Sequence, residues 1–179
     1  MNICFLDTET TGLDLELHEV WEIAYAFDDE LVHSAAVRHS LANADPEALK
    51  VNGYGERGGN AGRHSTDHTF ENELRERLRE TRATVVGANP AFDMYRLSRR
   101  WDGEQPWHYR SIDIETYAMP FLDLGLPAGL FYIAETLRQW NKTIPEPDHT
   151  AAGDVLSLRA CFRTLQRLYE ADRETLAEK

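Results

Sequence analysis

No stretch of this 179-residue chain runs to more than a few consecutive apolar residues, which excludes a helix able to span a bilayer. The first residues lack a basic segment and meet an acid at Asp7, which argues against a secretory leader. Cysteine is nearly absent. Cys4 and Cys161 lie far apart among apolar neighbours without metal-type spacing, so they read as buried free thiols of a reducing, cytoplasmic setting. Net positive charge is lacking as well: the formal value is −12. A protein that coats a duplex is expected to be basic, because neutralising phosphates supplies most nonspecific affinity. An enzyme that meets phosphates through bound cations escapes that exclusion, since the ions bring their own positive charge. No internal repeat, low-complexity tract or interdomain linker appears. Residues 1–179 therefore read as one domain, with a tail at 172–179, and the 42% hydrophobic content is enough to bury a core.

What is present is an alternation of strand and helix patterns. Residues 2–7 are mostly apolar, as in a central strand. "VWEIAYAF" (20–27) and "LVHSAAV" (31–37), joined by the acidic turn at Asp28, Asp29 and Glu30, read as a hairpin. Asp45 as a cap and Pro46 at the first helical position predict a short helix over 45–50. Residues 52–68 hold five glycines and few groups that could pack. They read as a mobile loop, with Arg57, Arg63 and His64 free to meet phosphates or a partner. Phe70, Leu74 and Leu78 fall at helical spacing within 69–82. A buried strand follows at 83–89, then a helix opening at Pro90 and ending near Arg99 and Arg100. The remaining expectations are a strand over 109–114 and helices over about 114–122, 129–140 and 151–171. Three strands followed by strand–helix alternation mean an α/β fold with a mixed sheet.

Within that frame, "FLDTETTGL" (5–13) ends the first strand with two carboxylates. Residues two apart on a strand point to the same face, so Asp7 and Glu9 stand side by side and repel unless a cation lies between them. Read alone, the stretch is also compatible with a strand end followed by a plain Thr-Gly turn. Asp93 comes one turn into the helix after Pro90, where the helix dipole also favours an acid. His149 and Asp154 follow in "HTAAGD". Five helical residues turn through about 500°, so these two could not converge if both were helical. Pro145 and Pro147 upstream and Thr150 as N-cap instead leave His149 in a loop that can fold back over Asp154.

"DTETTG", "NPAFD" and "HTAAGD", in that order, resemble the three motifs of the DEDDh 3′–5′ exonucleases. That family includes the proofreading subunit of bacterial DNA polymerase III, ribonuclease T and oligoribonuclease. "HEVWEIAYAF" and "SIDIETYAM" are similar to further family segments, and the likeness runs over residues 2 to 170. The Gly-rich stretch 52–68 matches none of its motifs. The resemblance implies a ribonuclease H-like mixed sheet with helices on both faces. It also implies release of nucleoside 5′-monophosphates from the 3′ end of single-stranded DNA or RNA, with two Mg²⁺ or Mn²⁺ ions held by Asp7, Glu9, Asp93 and Asp154. His149 would be the general base. Thr10 and Thr11 would meet the terminal sugar, and Leu13 and Phe92 would wall the terminal base unless they simply pack in the core. Asn89 would either tie down the 87–93 turn or touch the phosphate chain. Arg96, Arg99 and Arg100, with Arg57 and Arg63, would follow the strand unless they are solvated surface. A polymerase or other replication protein is the kind of partner implied. A polymerase-associated proofreading subunit and a non-catalytic nucleic-acid or protein binding module of the same fold are the rivals, and no heptad or apolar stripe sets an oligomeric state.

Overall fold

The computed structural model describes residues 2–177. An antiparallel meander is formed by β1 (Ile3–Thr10), β2 (Val20–Phe27) and β3 (His33–Ala36), and β4 (Thr84–Gly87) and β5 (Ser111–Asp113) add to β1 in parallel. The resulting mixed sheet has the order β3-β2-β1-β4-β5. β1 lies at the centre, and like its neighbours β2 and β4 it is buried on both faces: Cys4, Phe5 and Leu6 are all sealed from solvent. Its pairing with β2 shifts register between Glu9 and Thr10, so the strand bends just beyond its two acids.

The helices are α1 (Pro46–Val51), α2 (Thr69–Thr81), α3 (Pro90–Arg100), α4 (Ile114–Tyr117), α5 (Leu130–Arg138) and α6 (Ala151–Ala177). On one face Leu74, Leu78, Leu97 and Trp101 of α2 and the α3 end pack with Cys4, Leu6 and Ile23. On the other, Ile133, Leu137, Val155, Leu158 and Leu165 of α5 and α6 pack with Phe5, Ala24 and Val86. Each such fully buried aliphatic side chain contributes roughly 1.5–3 kcal/mol, enough in sum to offset a few crowded charges elsewhere. This is the α/β architecture with a mixed sheet that the sequence pattern predicts, with helices on both faces as the resemblance implies. Among the described residues no helix is long and apolar enough to cross a membrane. Both cysteines are buried and free, and burial pushes both thiols up, Cys161 to about 12.

Several boundaries differ from expectation. β3 is shorter than 31–37 and β5 shorter than 109–114. α4 stops at Tyr117 rather than near 122, since Pro120 disfavours helical backbone at the residue before it. α6 runs to Ala177, so 172–177 continue the helix and only the last two residues of the expected tail lie outside the described residues. Asp45 caps α1 as predicted, accepting from the Glu47 N–H at 2.9 Å.

Candidate active site

Asp7 and Glu9 share the β1 face that Phe5 presents to α6, and Asp154 sits in the first turn of α6. Carboxylate oxygens of Asp7, Glu9 and Asp154 all lie within 4.8 Å of one another. Such crowding should make each acid hard to ionise. Burial, then the charges of Asp93, Glu9, Asp154 and Glu22, raise the Asp7 carboxyl well above its ordinary range. Burial and Asp154 push Glu9 up to about 8, against the opposing pull of Arg57. Asp154 is also raised, chiefly by burial, although backbone hydrogen bonds from Asp148 and His149 and the nearby His149 charge work against it.

Asp93 is not part of that three-oxygen group. It enters from the first turn of α3, is buried, and its Oδ1 accepts both the Thr8 N–H (3.1 Å) and the Thr8 hydroxyl (2.5 Å). Burial raises it to about 7 in spite of those two donors. Asn89 just before α3 adopts φ 56°, its N–H donates to Asp113 Oδ1 at 3.1 Å, and its carbonyl accepts from the Phe92 N–H at 3.0 Å. The Asn89 backbone therefore ties down the turn, while its side chain makes no cap hydrogen bond.

His149 stands exposed in the loop before α6, with φ 58°. For a side chain larger than glycine that left-handed backbone costs about 1–3 kcal/mol, and the surrounding contacts hold it there. The Asp148 N–H donates to Asp154 Oδ1 at 3.0 Å, which folds the loop back over the acid. Asp148 Oδ1 accepts from the Thr150 N–H and hydroxyl, and Thr150 Oγ1 caps α6 by accepting from the Gly153 N–H at 2.8 Å. Gly153 is required here because a Cβ would lie 2.1 Å from Asp148 Oδ1.

Two positioning roles escape sequence reasoning, that of Glu22 and that of Arg57, which the sequence suggested only as a phosphate or strand contact. Arg57 forms an ion pair with Glu22 and donates to the carbonyls of Asn52 (2.7 Å) and His149 (2.9 Å), with its guanidinium 5.0 Å from the Trp21 ring. Glu22 in turn accepts the Ala151 N–H at 3.2 Å, at the first residue of α6. Glu22 is also the cross-strand partner of Glu9. A lone acid in the otherwise apolar "VWEIAYAF" was the one signal for Glu22; for the positioning role of Arg57 there was none.

These contacts correct the reading of 52–68. Tyr54 is only 4% exposed, meets Trp21 edge-on at 5.1 Å and shares a 2.7 Å hydrogen bond with His39 Nε2, so the loop has an apolar anchor. Arg57 is engaged rather than free. Arg96, Arg99 and Arg100 are likewise engaged within the protein. Arg96 is 4% exposed and donates to the carbonyls of Gly12, Asp14 and His18, while Arg99 binds the Leu15 carbonyl and Glu16. Together they pin the loop after β1. Arg100 pairs with Glu71 and the Arg38 carbonyl. The hydroxyl of Thr10 donates to the Gly12 carbonyl and that of Thr11 accepts from the Glu19 N–H, so both are engaged within the turn. Leu13 is 78% exposed and does not pack in the core; Phe92 is half-buried under the Arg96 guanidinium at 4.3 Å.

No family model and no curated protein sequence matches the chain. Solved structures do. Escherichia coli exonuclease I in complex with a dT13 oligonucleotide superposes with a TM-score of 0.68 at 18% identity, over 95% of this chain and 43% of that one. The zinc-ion-bound form of the E. coli exonuclease I–ssDNA complex gives 0.70 at 17% identity, over 93% and 40%. A moderately thermophilic exonuclease I from Methylocaldum szegediense gives 0.68 at 19% identity, over 93% and 40%. The chain thus has the fold of part of exonuclease I and spans less than half the length of those proteins.

Proposed function

We propose that this chain is a metal-dependent 3′–5′ exonuclease that releases nucleoside 5′-monophosphates from single strands. The observation that carries this reading is the convergence of Asp7, Glu9 and Asp154, three half-buried acids with raised pKa values, on a fold whose solved neighbours hold single-stranded oligonucleotides. Hard carboxylate oxygens are the donor set that Mg²⁺ and Mn²⁺ prefer. Asp7, Glu9 and Asp154, with Asp93 beside Asp7, would hold two such ions. When bound, the ions would supply charge neutralisation for an in-line phosphoryl displacement.

The protein's own groups do the rest. His149 accepts a proton from the attacking water, a task that suits imidazole near neutral pH. Arg57 and Glu22 fix the backbone on either side of it, at the His149 carbonyl and the Ala151 N–H. Thr8 locks the Asp93 rotamer. Exposed Leu13 and half-buried Phe92 are the apolar surfaces for the terminal base. The test is to incubate 5′-labelled single-stranded DNA and matched RNA with the protein, with Mg²⁺ and with chelator. Stepwise shortening from the 3′ end that requires Mg²⁺ is expected. An intact oligonucleotide under all conditions would favour the non-catalytic binding module instead.

A further inference from the structure

Away from the acids, a cleft of about 750 Å³ opens between the segment after β3, the end of the Gly-rich loop and the facing ends of α2 and α3. Four arginines and two glutamates line it, along with three histidines, so in a chain of net charge −12 this is a local positive region. Its two acids are already engaged. Glu71 is held by Arg100 and the Trp101 indole N–H, and Glu19 accepts the Ser40 N–H at 3.0 Å. Arg75, at the same cleft, pairs with Glu104.

Arg38 and Arg63 differ. Among the described residues their guanidinium groups make no hydrogen bond, ion pair or ring contact. Every other arginine engages a carboxylate, a carbonyl, a hydroxyl or an aromatic ring. The two uncommitted arginines therefore meet at one cleft, and the backbone that carries them is fixed. His39, next to Arg38, is buried and bonded to the Val37 carbonyl at 2.8 Å and to Tyr54 Oη at 2.7 Å. Gly62, next to Arg63, lies so close to β3 that a Cβ would fall 2.8 Å from the Val37 carbonyl. Two like charges held on a rigid frame, without partners, form a ready receptor for a planar-fork anion contact.

We propose that this cleft is a phosphate-binding site in which Arg38 and Arg63 are the phosphate ligands, with His64 at its edge. Two sources could supply the phosphate: the backbone of a nucleic-acid strand upstream of its 3′ end, or a small free phosphate. The strand source rests on the exonuclease reading; the free-phosphate source does not.

The experiment compares wild type with an Arg38→Gln/Arg63→Gln double variant in chelator, where binding is read without hydrolysis. One arm follows fluorescence anisotropy of labelled oligothymidylates of three and twelve nucleotides over a salt series. The other titrates inorganic phosphate calorimetrically. For a strand, the variant should bind the twelve-mer at least about tenfold more weakly, as one lost charge-assisted contact implies, and the trimer unchanged. Its log K against log salt slope should flatten by about 0.7, the value for one phosphate on a single strand. Loss of phosphate binding with unchanged twelve-mer affinity would support the site and assign it to a small phosphorylated ligand. Identical behaviour of the two proteins in both arms would overturn the proposal, whether or not the wild type proves to be a nuclease.

Discussion

Glu71 and Glu9 are two acids withdrawn from water and driven in opposite directions. Glu71, on α2, is 5% exposed; burial pushes its carboxyl up, yet Arg100 and the Trp101 N–H outweigh that and hold it below its ordinary range. Glu9, on β1, is driven to about 8 by burial and Asp154, and Arg57 and Asn52 do not restore it. The difference lies in what each region provides. Around Glu71 the protein supplies a full set of partners, and the pair is complete. Around Glu9 it supplies more acid: Asp7, Asp154 and Glu22. An arrangement that destabilises its own ionised form calls for something else to complete it, which is the basis for proposing the site there.

The largest expected effect comes from removing the acid at the centre of the crowd. Asp7→Asn should lose nearly all Mg²⁺-dependent hydrolysis, since a neutral amide cannot offset two cations. The metal-free fold should be no less stable, because one repelling charge has gone. Mg²⁺ should stabilise the wild-type fold, by about 2.7 kcal/mol at a hundredfold excess over Kd, and so raise its melting temperature, and the variant's much less. Equal Mg²⁺-induced shifts would erase the contrast with the self-sufficient Glu71 region.

Next in size is His149→Gln. A positioned general base is typically worth about 10²–10⁴ in rate, so kcat should drop by that factor while Mg²⁺ still raises the melting temperature. If metal binding disappears as well, His149 is a ligand and belongs with the acids.

A smaller effect is expected at Arg57, which links the two kinds of environment: it pairs with an acid, as Arg100 does, but at the edge of the crowded site. Arg57→Gln releases the His149 carbonyl and leaves Glu22 facing Glu9 without a counter-charge. Outer-contact losses of this kind cost about 10–100-fold, and here the loss should fall on kcat with KM nearly constant. An increase in KM alone would return Arg57 to the substrate-contact role that the Gly-rich loop first suggested.

That revision shows where the sequence was legible. Signals confined to a few residues were read correctly: the hairpin turn at 28–30, Asp45 and Thr150 as caps, Pro90 opening α3, and the period-two placement of Asp7 and Glu9. The three short motifs also named acids of which Asp7, Glu9 and Asp154 converge. Contacts that close over long separations left no local trace. Arg57 meets Glu22 across 35 residues and His149 across 92, and Arg96 meets the Gly12 carbonyl across 84. Each partner is a backbone carbonyl or one acid among 31, and nothing in the pattern distinguishes it. The end of α6 was missed for another reason. The apolar stripe fades near residue 171, whereas Arg, Glu, Leu and Ala beyond it are good helix formers that need no packing to continue.

The dependence of stability on pH is the most direct test of the two glutamates, because it depends on sign. In chelator, the folded chain keeps a proton on Glu9 up to about pH 8, whereas the unfolded chain releases it near 4.5. Between those values the folded state binds more protons, so stability falls as pH rises, by at most about 1.4 kcal/mol per pH unit for this group. Asp93, raised from 3.8 to about 7, acts in the same direction. Glu71 has the opposite sign: its folded pKa is lowered, so its stabilisation is complete above about 4.5 and disappears as pH falls through the folded value. Urea midpoints from pH 3 to pH 8 should therefore diverge. Glu9→Gln should match wild type near pH 4 and become the more stable protein towards pH 8. Glu71→Gln should cost little at pH 3 and most above pH 5, where the Arg100 partner is left buried and unpaired. Adding Mg²⁺ should restore wild-type stability at pH 8 and narrow its gap to Glu9→Gln, since cations bind the ionised carboxylates that the fold resists. Parallel curves for the two variants would mean that Glu9, like Glu71, already has its partner in the protein, and the case for a cation at the acidic face would fall with it.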